Sequence, residues 1–226
     1  MSLFAIADTH LSLSADKPMD IFNGWSDYVQ RLQKNWRAVV TDGDTVVIPG
    51  DVSWAMSLEG AEKDFAFLES LPGRKILMKG NHDYWWNTAR KMENFFREKG
   101  FETIDIVHNS AKLVGNISVC GTRGWFFDAE EDADKKVLLR EAGRLRTSIE
   151  KGIALGGEPG VFLHYPPITQ DRICPEIYDV LVGYKIKRCF YGHLHSFATK
   201  CAFEGERDGI NFSLISGDYL EFFPKL

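Results

Sequence analysis

KILMKGNHD, residues 75–83, is a strand-length apolar run that passes through a glycine into an amide, an imidazole and a carboxylate. Its reading extends along the chain in both directions. LFAIA (3–7) and TVVIP (45–49) have the same character. Between these runs the apolar spacing turns helical: Tyr28, Leu32, Trp36 and Val39 near residues 26–40, then Ala61, Phe65 and Leu68 near 58–70, halted by Pro72 and Gly73. A third helix is expected from an Asn87 cap to Lys99, with Met92, Phe95 and Phe96 apolar and Gly100 as terminator. Strands and helices alternating through short connections predict βαβ units and a mostly parallel, buried sheet.

The middle of the chain changes character. IDIVH (104–108), AKLV (111–114) and NISVCG (116–121) follow one another with only turn residues between them, which predicts an antiparallel meander in a second sheet. A long charged helix near 131–155, a strand GVFLH, a short helix, a strand RCFYG and two last strands complete the pattern. With no repeat, low-complexity tract or linker, residues 1–226 are expected to form a single domain.

Apolar residues at 44% and charged residues at 26% are ordinary for a soluble globular chain, and no run of about 18 apolar residues predicts a membrane span. A net charge of −5 argues against a broad nucleic-acid surface while leaving room for a small positive site. Cys120, Cys174, Cys189 and Cys201 have no metal-type spacing and read as buried free thiols. A first strand beginning at residue 3 leaves no room for a removable leader, so a cytoplasmic protein is expected. The oligomeric state stays open.

One pattern recurs at strand ends. LFAIA runs into Asp8 and His10, TVVIPG into Asp51, KILMKG into Asn81, His82 and Asp83, VFL into His164, and RCFYG into His193 and His195. In open α/β sheets the carboxyl ends of parallel strands gather along one edge, where ligands bind. The chain has 6 histidines, and all except His108 sit at such ends; His108 reads as structural or surface. Were the backbone extended, Asp8 with His10, and His193 with His195, would each point to one side. Carboxylate, imidazole and amide oxygen without thiolate suit Mn, Fe, Zn, Co or Ni. Seven candidate donors exceed one tetrahedral ion, and two ions would use them all.

The order Asp-x-His, Gly-Asp, Gly-Asn-His-Asp, His, Gly-His-x-His resembles the calcineurin-like metallophosphoesterases across residues 8–195. The resemblance implies an α/β fold, a two-sheet sandwich of mixed strands flanked by helices with the site at strand carboxyl ends. It implies one ion held by Asp8, His10 and His195, another by Asn81, His164 and His193, Asp51 bridging, and His82 catalytic rather than ligating. The cofactors would be two divalent ions, Mn, Fe, Zn or a mixture, with Mn favoured. Asp83 reads as a residue orienting the loop or an imidazole.

The resemblance does not choose the substrate. Trp54, Tyr84, Trp85, Trp86 and Trp125 lie just past strand ends and could stack a base or aryl group, or belong to the core. Arg123 could grip a phosphate through its planar fork or be solvated. LSLSADKPMDIFNGW (11–25) is a long connection that could cover the site or pack as a surface loop. The leading expectation is a dinuclear phosphoesterase, attacking with a metal-bridging hydroxide, for a small phosphodiester or nucleotide-like ester. Its rivals are a phosphomonoesterase or protein phosphatase, and a non-catalytic metal-binding module.

Overall fold

The computed structural model describes residues 1–125 and 132–225, and in them ten strands form two sheets. The first has the order β1-β2-β3-β4, all parallel: Leu3–Ala5 (β1), Thr45–Pro49 (β2), Arg74–Met78 (β3) and Ile104–Ile106 (β4). Helices α1 (Tyr28–Val39), α2 (Glu62–Glu69) and α3 (Ala89–Glu98) carry its crossovers.

The second sheet has the order β5-β6-β7-β8-β10-β9: Lys112–Val114 (β5), Ile117–Thr122 (β6), Glu158–Leu163 (β7), Arg188–Tyr191 (β8), Gly205–Arg207 (β9) and Ile210–Leu214 (β10). Its central strands β6, β7, β8 and β10 run parallel, and the edge strands β5 and β9 are antiparallel. Helix α4 (Asp132–Ala154) precedes β7, and α5 (Pro175–Gly183) precedes β8.

Side-chain alternation along each strand builds the layers. In β2, Val46 and Ile48 face the core shared with α1, α2 and α3, while Val47 faces the other sheet. In β7, Val161 and Leu163 face α4 and α5, while Phe162 meets the first sheet. Ala5, Val47, Ile76, Met78, Val119, Phe162 and Ile215 thus form a thin middle layer between the sheets. The arrangement is a two-sheet sandwich with helices on both outer faces, the architecture expected from the resemblance.

Three local expectations need correction. IDIVH is not part of a meander: as β4 it joins the first sheet, parallel to β3, because the α3 crossover returns the chain there. Of the three runs, only AKLV and NISVCG pair as a hairpin, β5 with β6, turning at Gly115 and Asn116 between the paired Val114 and Ile117. The α3 cap is Thr88, whose side chain accepts from Lys91 N, rather than Asn87. The long charged helix is present from Asp132; residue 131 lies outside the described residues. Cys201 is exposed, while the other three thiols are buried and all four are free. Among the described residues no helix is long and apolar enough to cross a membrane.

Candidate metal centre

Asp8 and His10 follow β1, Asp51 follows β2, Asn81 follows β3, His164 follows β7, and His193 and His195 follow β8. The sandwich brings all seven together. His10 Nε2 and His195 Nε2 are 3.3 Å apart, and His195 Nε2 is 3.5 Å from Asp8 Oδ1. Asn81 Oδ1 lies 2.6 Å from His164 Nε2 and 3.1 Å from His193 Nδ1. Asp51 Oδ2 stands between these groups, 3.7 Å from His10 Nε2 and 3.6 Å from His164 Nε2. Asp8 reaches both ways too, since Oδ1 is 3.7 Å from His164 Nδ1. Two triads therefore have donor atoms close enough to share an ion: Asp8, His10, His195 and Asp8, Asp51, His164.

Divalent ions fit this arrangement. With metal–ligand bonds of about 2.0–2.2 Å, neighbouring ligand atoms stand roughly 3.0–3.5 Å apart, close to the spacings found here. Asp8 Oδ1 is buried without a hydrogen-bond partner. Electrostatics point the same way. Burial holds His10 and His164 below the usual imidazole range despite the charge of Asp8, and burial followed by His164 takes His193 down to about 3. These rings are therefore held in the neutral form, the form in which imidazole ligates a metal. Burial, then the charge of Asp8, pushes Asp51 up to about 8. Asp8 stays well below the usual carboxylate range; burial opposes this, but the charge of His195, 3.5 Å away, outweighs it. A cation beside these carboxylates would relieve their mutual repulsion.

The backbone reaches this geometry by a route the extended-chain argument missed. Asp8, His10, Asp51 and His193 all have positive φ, at 59°, 43°, 51° and 71°. Such conformations are uncommon for residues with a Cβ and cluster at functional sites. The glycines preceding the motifs have a steric cause. A Cβ at Gly80 would stand 2.1 Å from Asp51 Oδ1, and one at Gly192 would stand 2.4 Å from Asp8 Oδ2.

Asp83 ties two of the loops together. Its carboxylate accepts from the backbone N–H of Gly80, Asp51, Val52 and Ser53, and from Trp85 Nε1. Burial and the charge of Asp51 raise its pKa to about 7, and the backbone donors pull the other way. Asp83→Ala would leave five buried N–H groups unpaired, four from the backbone and one from Trp85. It is expected to cost roughly 3–5 kcal/mol of stability and to weaken metal retention; unchanged denaturant midpoint and metal content would refute this role.

Asp218 escaped the sequence reading. Its Oδ1 is 2.9 Å from His195 Nδ1 and its Oδ2 accepts from Ser196 N, so it fixes the His195 ring. Burial acts to lower the His195 pKa, but Asp8 and this contact raise it to about 10. The signal was present: LISGD (214–218) repeats the strand-Gly-Asp form of VVIPGD.

A cavity of about 260 Å³ opens over the donors, lined by His10, Asp51, His193 and His195 together with His82, Trp54, Trp25, Met19 and Phe22. Trp54 stacks on His10 at 5.0 Å and lies 4.4 Å from the His82 ring. His82 belongs to neither triad, and its backbone N–H donates to Asp51 Oδ1 at 2.8 Å. Tyr84 is exposed, its hydroxyl 3.5 Å from His82 Nδ1. Trp85 needs correction as a substrate contact: it is 1% exposed, packs on Phe65 and donates to Asp83, because the loop turns it into the core. Arg123 lines a different cavity. The connection 11–25 contributes Met19, Phe22 and Trp25 to the wall, with Trp25 edge-on to His195 at 5.7 Å. His108 is half-buried against Trp86.

A family model for calcineurin-like phosphoesterases matches residues 1–197. The chain belongs to the calcineurin-like phosphoesterase family. An uncharacterised protein of Methanocaldococcus jannaschii is 31% identical over 96 residues, 40% of this chain and 52% of that relative, so the match spans about half of the relative's length. Among solved structures, a Thermus thermophilus protein superposes with a TM-score of 0.57 at 12% identity, covering 88% of this chain and 85% of its own. A protein of unknown function from Aquifex aeolicus gives 0.53 at 15%, covering 100% and 95%. The phosphopantetheinyl hydrolase of Mycobacterium tuberculosis gives 0.52 at 15%, covering 95% and 88%. At these identities the likeness is one of fold.

Proposed function

We propose that this phosphoesterase holds two divalent cations, one between Asp8, His10 and His195 and one between Asn81, His164 and His193, with Asp51 shared. Its substrate in this reading is a small phosphodiester or nucleotide-like ester. The observation that carries the two-ion reading is Asp51 Oδ2, a single oxygen 3.7 Å from His10 Nε2 and 3.6 Å from His164 Nε2. The donors are oxygen and imidazole nitrogen, a set suited to Mn, Fe or Zn; we favour Mn. Ions bound there would supply Lewis acidity and activate water as the nucleophile.

The chain's own residues supply the rest. Two divalent ions against two aspartates leave the pocket with about +2, which draws in a phosphate anion. His82, on the cavity wall and outside both triads, is positioned to protonate or hydrogen-bond the leaving oxygen. Trp54, Trp25 and Met19 offer a leaving group an apolar, partly aromatic wall, which supports a base or aryl group there. Four free thiols, one of them exposed, support a reducing, cytoplasmic setting.

After reconstitution with Mn, elemental analysis is expected to find two ions per chain; one or none would overturn the two-ion assignment. A hydrolysis screen of the same preparation against mono- and diesters tests the substrate. Diesters with an aryl or base leaving group should be turned over fastest, and a clear preference for monoesters would transfer the reading to a phosphomonoesterase.

A further inference from the structure

A second cavity, also of about 260 Å³, lies where the ends of β3, β4 and β6 face α4, and none of the seven donors lines it. Its lining includes four cationic side chains, Lys79, Arg123, Arg140 and Arg144, against one carboxylate, Glu141. This concentration of positive charge stands in a chain of net charge −5. Glu141 is already committed: buried, it accepts from the Thr122 hydroxyl and from Arg144 Nη1. Lys79, Arg123 and Arg140 are left without an ion pair among the described residues.

Like charges gathered in one cavity repel one another. Arg140 and Arg144 are one helical turn apart, where like charges repel. Arg123 Nε is buried and has no hydrogen-bond partner among the described residues, although the guanidinium is held over Trp125 at 4.7 Å. An oxyanion answers both features, because its oxygens accept from a guanidinium fork in pairs while its charge offsets the cluster.

We propose that this cavity is a second anion site, taking a phosphate-like oxyanion distinct from the ester bound at the metal centre. The two sites share a wall. Lys79 is two residues before Asn81, and the Arg123 carbonyl accepts from Tyr165 N, whose ring lies 4.4 Å from that of His193. The anion is therefore either a second phosphate on the same substrate or a free ion.

The test is calorimetric titration of inorganic phosphate into the metal-loaded protein, wild type against Arg123→Gln and Arg140→Gln. Arg144 is left in place because its loss would strand the buried Glu141. Each variant should weaken one class of phosphate binding by at least about ten-fold, with metal content unchanged. Isotherms identical to wild type in both variants would overturn the proposal, whatever the enzyme's substrate proves to be. Turnover then separates the sources. A rise in KM in Arg140→Gln only for esters carrying a second phosphate assigns the site to the substrate, and unchanged KM alongside lost phosphate binding assigns it to a free anion.

Discussion

Asp51→Asn is expected to leave fewer than two ions per chain and to lower turnover by on the order of 10³ or more, since the Lewis acidity at stake contributes several kcal/mol. The change is nearly isosteric, so what it removes is charge and one anionic oxygen. In the wild type Asp51 Oδ1 accepts from His82 N while Oδ2 faces His10 and His164. An asparagine that keeps the first contact must turn its NH₂ toward the cations, and one that turns its oxygen toward them breaks the contact with His82. Either orientation weakens both ion positions at once.

Stability separates this effect from misfolding. Without metal, burial and the charge of Asp8 raise the Asp51 carboxyl to about 8, far above the usual carboxylate range. The fold therefore binds that proton more tightly than the unfolded chain does, and the associated stability is lost as pH rises through 8. A neutral Asn escapes this loss. Chelator-treated Asp51→Asn should accordingly be at least as resistant to denaturant at pH 8 as chelator-treated wild type. Normal metal occupancy with normal turnover would sink the shared-ligand assignment.

His82→Ala is expected to keep both ions yet lose on the order of 10² to 10⁴ in turnover, the usual range for a general acid. The structure makes this a clean substitution, because the contact to Asp51 comes from the backbone amide and survives removal of the ring. Loss of the ring does expose one face of Trp54, so metal content and folding must be checked alongside the rates. The loss should depend on the leaving group: an aryl ester departs readily without a proton, whereas an alkoxide does not, so alkyl esters should suffer more. Equal losses would shift His82 toward holding the phosphoryl oxygens, and loss of metal would make it a ligand.

Much of this was legible in the sequence because parallel strands buried on both faces appear as continuous apolar runs, and the polar residues that end them stand out. Directions and partners were harder to read. IDIVH is too short to carry an orientation, and the α3 crossover decides that it pairs with β3. Trp85 and Trp54 look alike as aromatics beyond strand ends; only the loop path sends one into the core and the other over His10. The convergence of Asp8 with His10 was anticipated for the wrong reason, since the local backbone is left-handed rather than extended. Asp218 was missed because it lies 23 residues beyond the ring it holds, and no local pattern links the two.

The rim where the two sheets meet also orders events during synthesis. Each proposed ion draws on both sheets: Asp8 and His10 need His195, and Asn81 needs His164 and His193. A ribosome releases the chain from its amino end, at roughly 5–20 residues per second. While the first sheet is emerging, its carboxylates and imidazoles are only part of a chelate, too incomplete to trap whichever cation happens to be nearby. In this reading the full set of donors assembles only after β8 has docked, so the choice of metal falls to a chain in which both sheets are already made.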